Sequence, residues 1–305
     1  MSEPHQLFDE KTRRKLEQLI LSASRVRSGA IKGERRSVKR GTSTEFADYR
    51  NYAPGDDLRR LDWNIYARLE RPLTKLYEDE EDLAVHLLLD ASASMDWPTE
   101  GDPDAIKFTF ARRLFAGLGY TSLTTNDRLL MTVVGGKGSA PSQLHHFGPA
   151  RGRAYGVAML GFVNDLEAGG IADWNDALYS YALRAGRPGL ALVITDMFSP
   201  TGYIEGFNAL LGKGYEVGLI HVLSRDEVEP PITGDLRLVD VETGQPQEVT
   251  IDAAMRELYM RRLAAWQDEL RFECRRRGMH YIPIVTDSAW EKVILYDLRR
   301  LNLIK

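Results

Sequence analysis

The sequence predicts an α/β fold: a doubly wound, mostly parallel sheet with helices on both faces. Two apolar runs point to it, residues 83–89 ending at Asp90 and residues 189–194 ending at Thr195-Asp196. Strands buried on both faces read as unbroken apolar runs of this kind, whereas a half-solvated strand alternates. The third observation is order: from residue 83 onward, strand-like runs alternate with segments of helical periodicity, as a layered α/β domain requires.

Composition sets the outer limits. The chain has 305 residues with 43% hydrophobic residues, ample for a core, and a formal net charge of −4. A charge so close to balance gives no global attraction to nucleic acid or anionic membrane. The single cysteine, Cys274, rules out an internal disulfide and suits a reducing compartment. Residues 1–6 lack a basic region followed by an apolar core, and no run approaches the ~18 apolar residues of a membrane span. The expectation is a cytoplasmic protein with no transmembrane segment.

Residues 11–27 have helical spacing, with Leu16, Leu19, Ile20, Ala23 and Val26 on one stripe and Gly29 beyond. Residues 32–40 carry Lys32, Arg35, Arg36, Lys39 and Arg40, a solvated loop or a basic patch. Residues 45–64 interleave aromatics, arginines and aspartates around a Pro54-Gly55 turn, the pattern of a hydrogen-bonded surface. Residues 78–82 are all acidic and read as solvated.

After Asp90, Asp102-Pro103-Asp104 reads as a capped helix start, followed by Ile106, Phe108, Phe110, Ala111, Leu114 and Leu118. Strands are expected at 128–134, 189–196, 215–222 and 281–285, with a short edge strand at 142–147. Helices are expected at 154–166 and 177–184. Alternation around Thr243-Gly244 predicts a hairpin inserted near 234–250. A long helix over 252–277 places Met255, Leu258, Tyr259, Leu263, Trp266, Leu270 and Cys274 on one apolar face.

The chemistry concentrates at the strand ends. Asp90, Ser92 and Ser94 put a carboxylate and two hydroxyls at alternate positions, and Asp196 ends a second apolar strand. If the two strands are neighbours, both carboxylates reach one rim, where open α/β sheets bind ligands. Hard oxygen donors of this kind suit magnesium or manganese. The plainer alternative is that the serines cap the following turn and Asp196 only ends its strand.

Asp90-Ala91-Ser92-Ala93-Ser94 resembles the Asp-x-Ser-x-Ser motif of von Willebrand factor A domains. Glu45-Phe46, Arg50, Tyr52, Pro54-Gly55-Asp56-Asp57, Arg59-Arg60, Asp62-Trp63 and Ala67-Arg68 resemble the bacterial family catalogued as domain of unknown function 58. Residues 239–244 and 281–298 also resemble it. The resemblance implies an N-terminal helix and family-specific extension over 1–80 and a von Willebrand A-like domain over 81–305. It implies a metal-ion-dependent adhesion site with Asp90, Ser92, Ser94 and Asp196 as the Mg2+ or Mn2+ ligands. It also implies a non-enzymatic adaptor or co-chaperone partnered by a MoxR-type AAA+ ATPase and its client proteins. One position departs from the pattern: Ala172 stands where such sites carry a threonine, and a methyl group cannot ligate an ion, so either Asp173 or a water fills the gap or the site binds metal weakly.

Two other classes are weighed against this one. A metal-dependent phosphoester hydrolase with an aspartate after its first strand needs a second aspartate two residues on, where Ser92 stands. No Gly-x-x-x-x-Gly-Lys-Ser/Thr loop, Gly-x-Gly-x-x-Gly helix opening or Gly-x-Ser-x-Gly elbow is present. A nucleic-acid-binding adaptor would use residues 32–40, with little aromatic support for base stacking. His145-His146 face opposite ways on a strand. His86 reads as a core histidine and Cys274 as a packed thiol.

Overall fold

An apolar run becomes a strand only where both of its faces are covered, and the run that ends at Asp90 is covered on both. The computed structural model describes residues 7–23, 46–53, 58–77, 83–99, 101–184, 186–231, 234–239 and 246–305. These divide into two units, with boundaries at 31/32 and 82/83.

The chain's first helix, α1 (Glu10–Leu16), is capped by Asp9, whose Oδ1 accepts from Thr12 N at 2.7 Å. It stops well short of the expected 11–27. Ile20 N donates to Lys305 O, Ser22 N to Leu303 O and Lys305 N to Ile20 O, so the segment leaves the helix to pair with the C-terminus. Leu16, Leu19, Leu21 and Ala23 are buried in the main core while Ile20 is exposed. Val26 and Gly29 lie outside the described residues. The expected division at residue 80 is therefore redrawn: residues 7–23 belong with the large α/β unit.

In the small unit, strand β1 (Phe46–Asn51) pairs antiparallel with β2 (Leu73–Tyr77), and helix α2 (Trp63–Leu69) lies between them in sequence. Asp62 organises this connection. Its Oδ1 accepts from Asn64 N and Ile65 N at the helix start, and its Oδ2 accepts from Tyr49 OH at 2.9 Å. The polar-aromatic stretch is thus a hydrogen-bonded assembly. The turn at 54–57, the basic segment 32–40 and the acidic run 78–82 lie outside the described residues.

The large unit runs β3 (Ala84–Asp90), a 3₁₀ turn (Ala93–Met95), a second (Pro103–Ala105), α3 (Lys107–Thr124), β4 (Arg128–Val134), β5 (Leu144–Ala150), α4 (Gly156–Asn164), α5 (Trp174–Arg184) and β6 (Leu190–Thr195). It continues with α6 (Ile204–Gly212), β7 (Glu216–Leu223), the short α7 (Arg225–Val228), the hairpin strands β8 (Gly234–Val239) and β9 (Pro246–Ile251), the long α8 (Ala253–Arg277), β10 (His280–Val285) and helical turns over residues 290–300. The expected helix start at Asp102 is a separate 3₁₀ turn. Ile106 is extended (φ −64°, ψ 126°), so α3 begins only at Lys107.

Six strands form the central sheet in the order β10-β7-β6-β3-β4-β5, parallel except for the edge strand β5, which runs antiparallel to β4. The chain leaves β3 toward β4 and β5, then returns to build β6, β7 and β10 on the other side. The order reverses between β3 and β6, which makes a crevice at their carboxyl ends.

Alternate side chains of β3 feed two cores. Leu87 and Leu89 pack with Ala111, Leu114, Phe115 and Leu118 of α3. Leu88 points to the opposite face, with Trp174, Leu178, Leu210 and Leu270. Each of these buried leucines is worth about 1.5–3 kcal/mol in removal from water. The doubly wound prediction holds.

The helix α8 forms as expected, capped by Asp252 (Oδ1 to Met255 N, 2.8 Å) and ended by Gly278 at φ 66°. Its apolar face is only half used. Leu270 and Cys274 are buried, whereas Met255 and Tyr259 near its start are exposed. The stripe leaves the core in the first turns, beside the hairpin.

Candidate functional site

Pairing of Leu89 with Ile194 in the parallel β3–β6 ladder brings Asp90 and Asp196 to the same rim. Asp90 is completely buried and its carboxylate is saturated. Oδ2 accepts from Thr195 Oγ1 (2.6 Å) and Trp174 Nε1 (2.8 Å), and Oδ1 accepts from Ser92 N (2.9 Å). Burial, with the Asp196 charge second, holds the Asp90 carboxyl up at about 6, and these hydrogen bonds partly offset the rise.

Ser92 opens the 3₁₀ turn over residues 93–95 but makes no capping bond. Its Oγ lies 3.0 Å from Ser94 Oγ. The serines are therefore not simply turn caps. The loop over 169–174 is clamped against them: Gly169 N donates to Ala91 O and Ala93 N donates to Gly170 O, each at 2.8 Å. Gly170, at φ 71°, lets the backbone come that close. Ala172 is fully buried in this loop. A Cβ built on Gly135 would lie 3.7 Å from both Ala172 Cβ and Ser92 N, so both border the turn after β4.

Asp196 is equally buried. Its Oδ1 accepts from Phe198 N (3.0 Å) and its Oδ2 from Lys107 Nζ (2.7 Å). The chain reverses immediately after it through Met197, a non-glycine residue at φ 64°, whose N–H is taken up by Thr195 Oγ1 at 2.9 Å. A left-handed methionine costs on the order of 1 kcal/mol, and here it aims Phe198 across the rim onto Trp266 (5.4 Å between stacked rings). On the other side of Lys107, Glu227 Oε1 accepts from Nζ at 2.5 Å.

The four residues expected to hold an ion thus share one rim. The hydroxyl half suits magnesium: ligands at right angles on an octahedral ion are about 2.9 Å apart, close to the Ser92–Ser94 spacing. The acidic half is already engaged, Asp90 by three donors and Asp196 by Lys107. An ion at the serines would meet two protein oxygens directly and the carboxylates through water. Among the described residues, no group of three or more His, Cys, Asp or Glu side chains is placed to hold a metal.

The remaining candidates are structural. His86 sits between Tyr181 OH (2.6 Å) and Arg187 O (3.0 Å), and burial pushes it down to about 4, so it is neutral. His145 and His146 bond separate partners, Ser139 Oγ and Thr132 Oγ1, each at 2.9 Å. Burial pushes the Cys274 thiol up to about 12.

Lys107, Glu227, Trp174 and Thr195 are the site residues that sequence reasoning missed. Lys107 carried one usable signal: a cation in the first turn of a helix opposes the dipole, so it needs a reason to be there. Thr195 stood next to Asp196 in plain view. Trp174 and Glu227 arrive from separate elements and carried none.

Beside the site lies a cleft of about 450 Å³. Ser94, Trp97 and Phe198 form its wall nearest the strand ends, and Met255 and Tyr259 of α8 form the opposite one. Trp97, Phe198, Met255 and Tyr259 are each roughly two-fifths exposed.

The protein-family model described as "Protein of unknown function DUF58" matches residues 48–269. The uncharacterised protein Rv1480 of Mycobacterium tuberculosis is 29% identical over 286 residues, covering 92% of this chain and 87% of that protein. A shorter relative, MAV169 of Mycobacterium avium, is 34% identical over 104 residues, covering 34% of this chain and 61% of its own length. Among solved structures, BatB from Bacteroides thetaiotaomicron superposes with a TM-score of 0.44 at 15% identity, covering 72% of this chain and 98% of that one. A von Willebrand factor type A protein from Catenulispora acidiphila gives 0.33 at 17% identity, covering 50% and 35%. The family model spans well over half the sequence, and the chain belongs to the DUF58 family.

Proposed function

We propose that this chain is a non-enzymatic adaptor that docks a protein partner on the rim at the ends of β3 and β6. One observation carries the reading: the cleft beside Ser94 is lined by Trp97, Phe198, Met255 and Tyr259, large apolar side chains each left about two-fifths exposed. Burying one such side chain contributes about 1.5–3 kcal/mol, and a few aromatic anchors dominate a typical protein interface. Apart from Glu227, which Lys107 holds, Asp96 and Asp226 outnumber Arg256 among the charged side chains lining the cleft, which favours a partner element that pairs apolar anchors with a basic residue.

The partner is a MoxR-type AAA+ ATPase and, through it, that ATPase's clients; the sequence resemblance supports this choice. A magnesium ion on this reading rests on Ser92 and Ser94, with Asp90 and Asp196 acting through water and Ala172 offering nothing. Its role is to present a positive charge at the rim. The setting is cytoplasmic. Among the described residues no helix is long and apolar enough to cross a membrane.

The hydrolase alternative fares worse. Its nucleophile would be Asp90, which is buried and has both oxygens occupied by donors. The nucleic-acid alternative rests on residues 32–40, outside the described chain. The test is calorimetric titration of the chain with the MoxR-type ATPase encoded in the same genome, in magnesium and in chelator. Specific binding that Phe198→Ala weakens by about tenfold or more supports the docking rim. Absence of binding in both media refutes the partner.

A further inference from the structure

Lys107 is the most costly residue in the molecule to place. It is the first residue of α3, where the helix dipole repels a cation, and its side chain is completely buried. Two carboxylates from two further elements flank its ammonium: Asp196 after β6, at 2.7 Å, and Glu227 of α7, at 2.5 Å. Glu227 is itself fixed, because its Oε2 accepts from Ser224 N (2.7 Å) in a reciprocal cap with Ser224 Oγ and Glu227 N. The ring of Phe198 lies 5.2 Å from the ammonium. Three elements that form the rim therefore meet at one nitrogen.

The charges explain why. Asp196 and Glu227 place two carboxylates on either side of one buried nitrogen, and without a cation between them one of the two would have to take up a proton or move away from the other. An oxygen-rich rim of this kind would ordinarily attract a divalent ion. Here the position between Asp196 and Glu227 is filled by a positive charge that is part of the chain.

We propose that Lys107 is the resident cation of this site. Its tethered ammonium holds Asp196 and Glu227 together, so the site assembles without metal. A divalent ion at Ser92 and Ser94 is then a weak accessory, because it meets only two protein oxygens and a neighbouring positive charge. The proposal rests on the same rim as the docking reading. Its test reads metal dependence of folding rather than partner binding, so either can fail without the other.

The experiment is thermal unfolding of the whole chain in chelator and in manganese, for the wild type and for Lys107→Met, which keeps length and removes charge. The wild-type melting temperature is expected to agree between the two media within about 1 °C. Lys107→Met is expected to melt several degrees lower in chelator, to recover in manganese, and to bind manganese at least about tenfold more tightly than wild type. A wild type that loses as much stability on chelation as the variant overturns the proposal. So does a folded Lys107→Met protein that is indifferent to manganese. If Lys107→Met does not fold, manganese titrated into wild type and followed by electron paramagnetic resonance decides alone. Millimolar or weaker binding supports the assignment, and micromolar binding overturns it.

Discussion

Thr195→Val tests the electrostatics of the site with almost no change in shape. The hydroxyl has two buried tasks: it donates to Asp90 Oδ2 at 2.6 Å and accepts from Met197 N at 2.9 Å. Losing a hydrogen bond to a charged group costs about 1.5–3 kcal/mol, and stranding the Met197 N–H costs about 1–3 kcal/mol more. The two losses share one atom and do not simply add, so about 3–5 kcal/mol is expected at about pH 8. That corresponds to a fall in melting temperature of roughly 6–15 °C for a unit of this size. The penalty also has a pH signature. The Thr195 bond holds the Asp90 carboxyl down against burial, so its loss lifts that group above its wild-type value of about 6. A carboxyl whose folded pKa is raised contributes stability that is full below its unfolded pKa and is lost as pH rises through the folded one. The deficit of the variant relative to wild type should thus be largest above about pH 7 and shrink toward about pH 4. Melting curves across that range check it. A cost under about 1 kcal/mol, or one that does not vary with pH, refutes the account of Asp90.

Two further outcomes follow from the buried groups. His86 and His221 are both pushed down to about 4 by burial, so the stability they contribute is present above pH 6.5 and lost as pH falls toward 4. On the order of 3 kcal/mol per histidine is at stake, partly offset by Asp90 with the opposite sign; a denaturation free energy that stays flat from about pH 6.5 to 4 would contradict this. Cys274, buried with its thiol pushed up to about 12, should react with a thiol reagent only as fast as the fold opens. Rapid native-state labelling would show that the helix α8 packs less tightly than described.

The rim was legible in the sequence because one physical pattern carries it. Apolar runs that stop at a carboxylate are what buried parallel strands look like, and β3 and β6 both stop that way. Their adjacency was left open by the sequence and is supplied by the β3–β6 ladder. What was not legible came from long-range pairing. Helix α1 has helical spacing through Ala23, yet it ends at Leu16 because the C-terminal residues 303–305 take up its following backbone groups. Local periodicity contains nothing about that partner. The apolar stripe of α8 was legible as a stripe but its covering was not, since spacing states which residues share a face and not what covers it. Lys107 was hidden for a similar reason. Its meaning depends on Glu227, 120 positions away in the chain.

The central claim is that the cleft beside Ser94 is a docking surface, and a charge placed in its apolar lining tests it most directly. Met255 is exposed at the start of α8, so Met255→Lys should leave the melting temperature within about 2 °C of wild type. Titrated with the proposed AAA+ partner, that variant should bind at least about tenfold more weakly than wild type. Equal affinity for the two proteins, with both folded, would contradict the account.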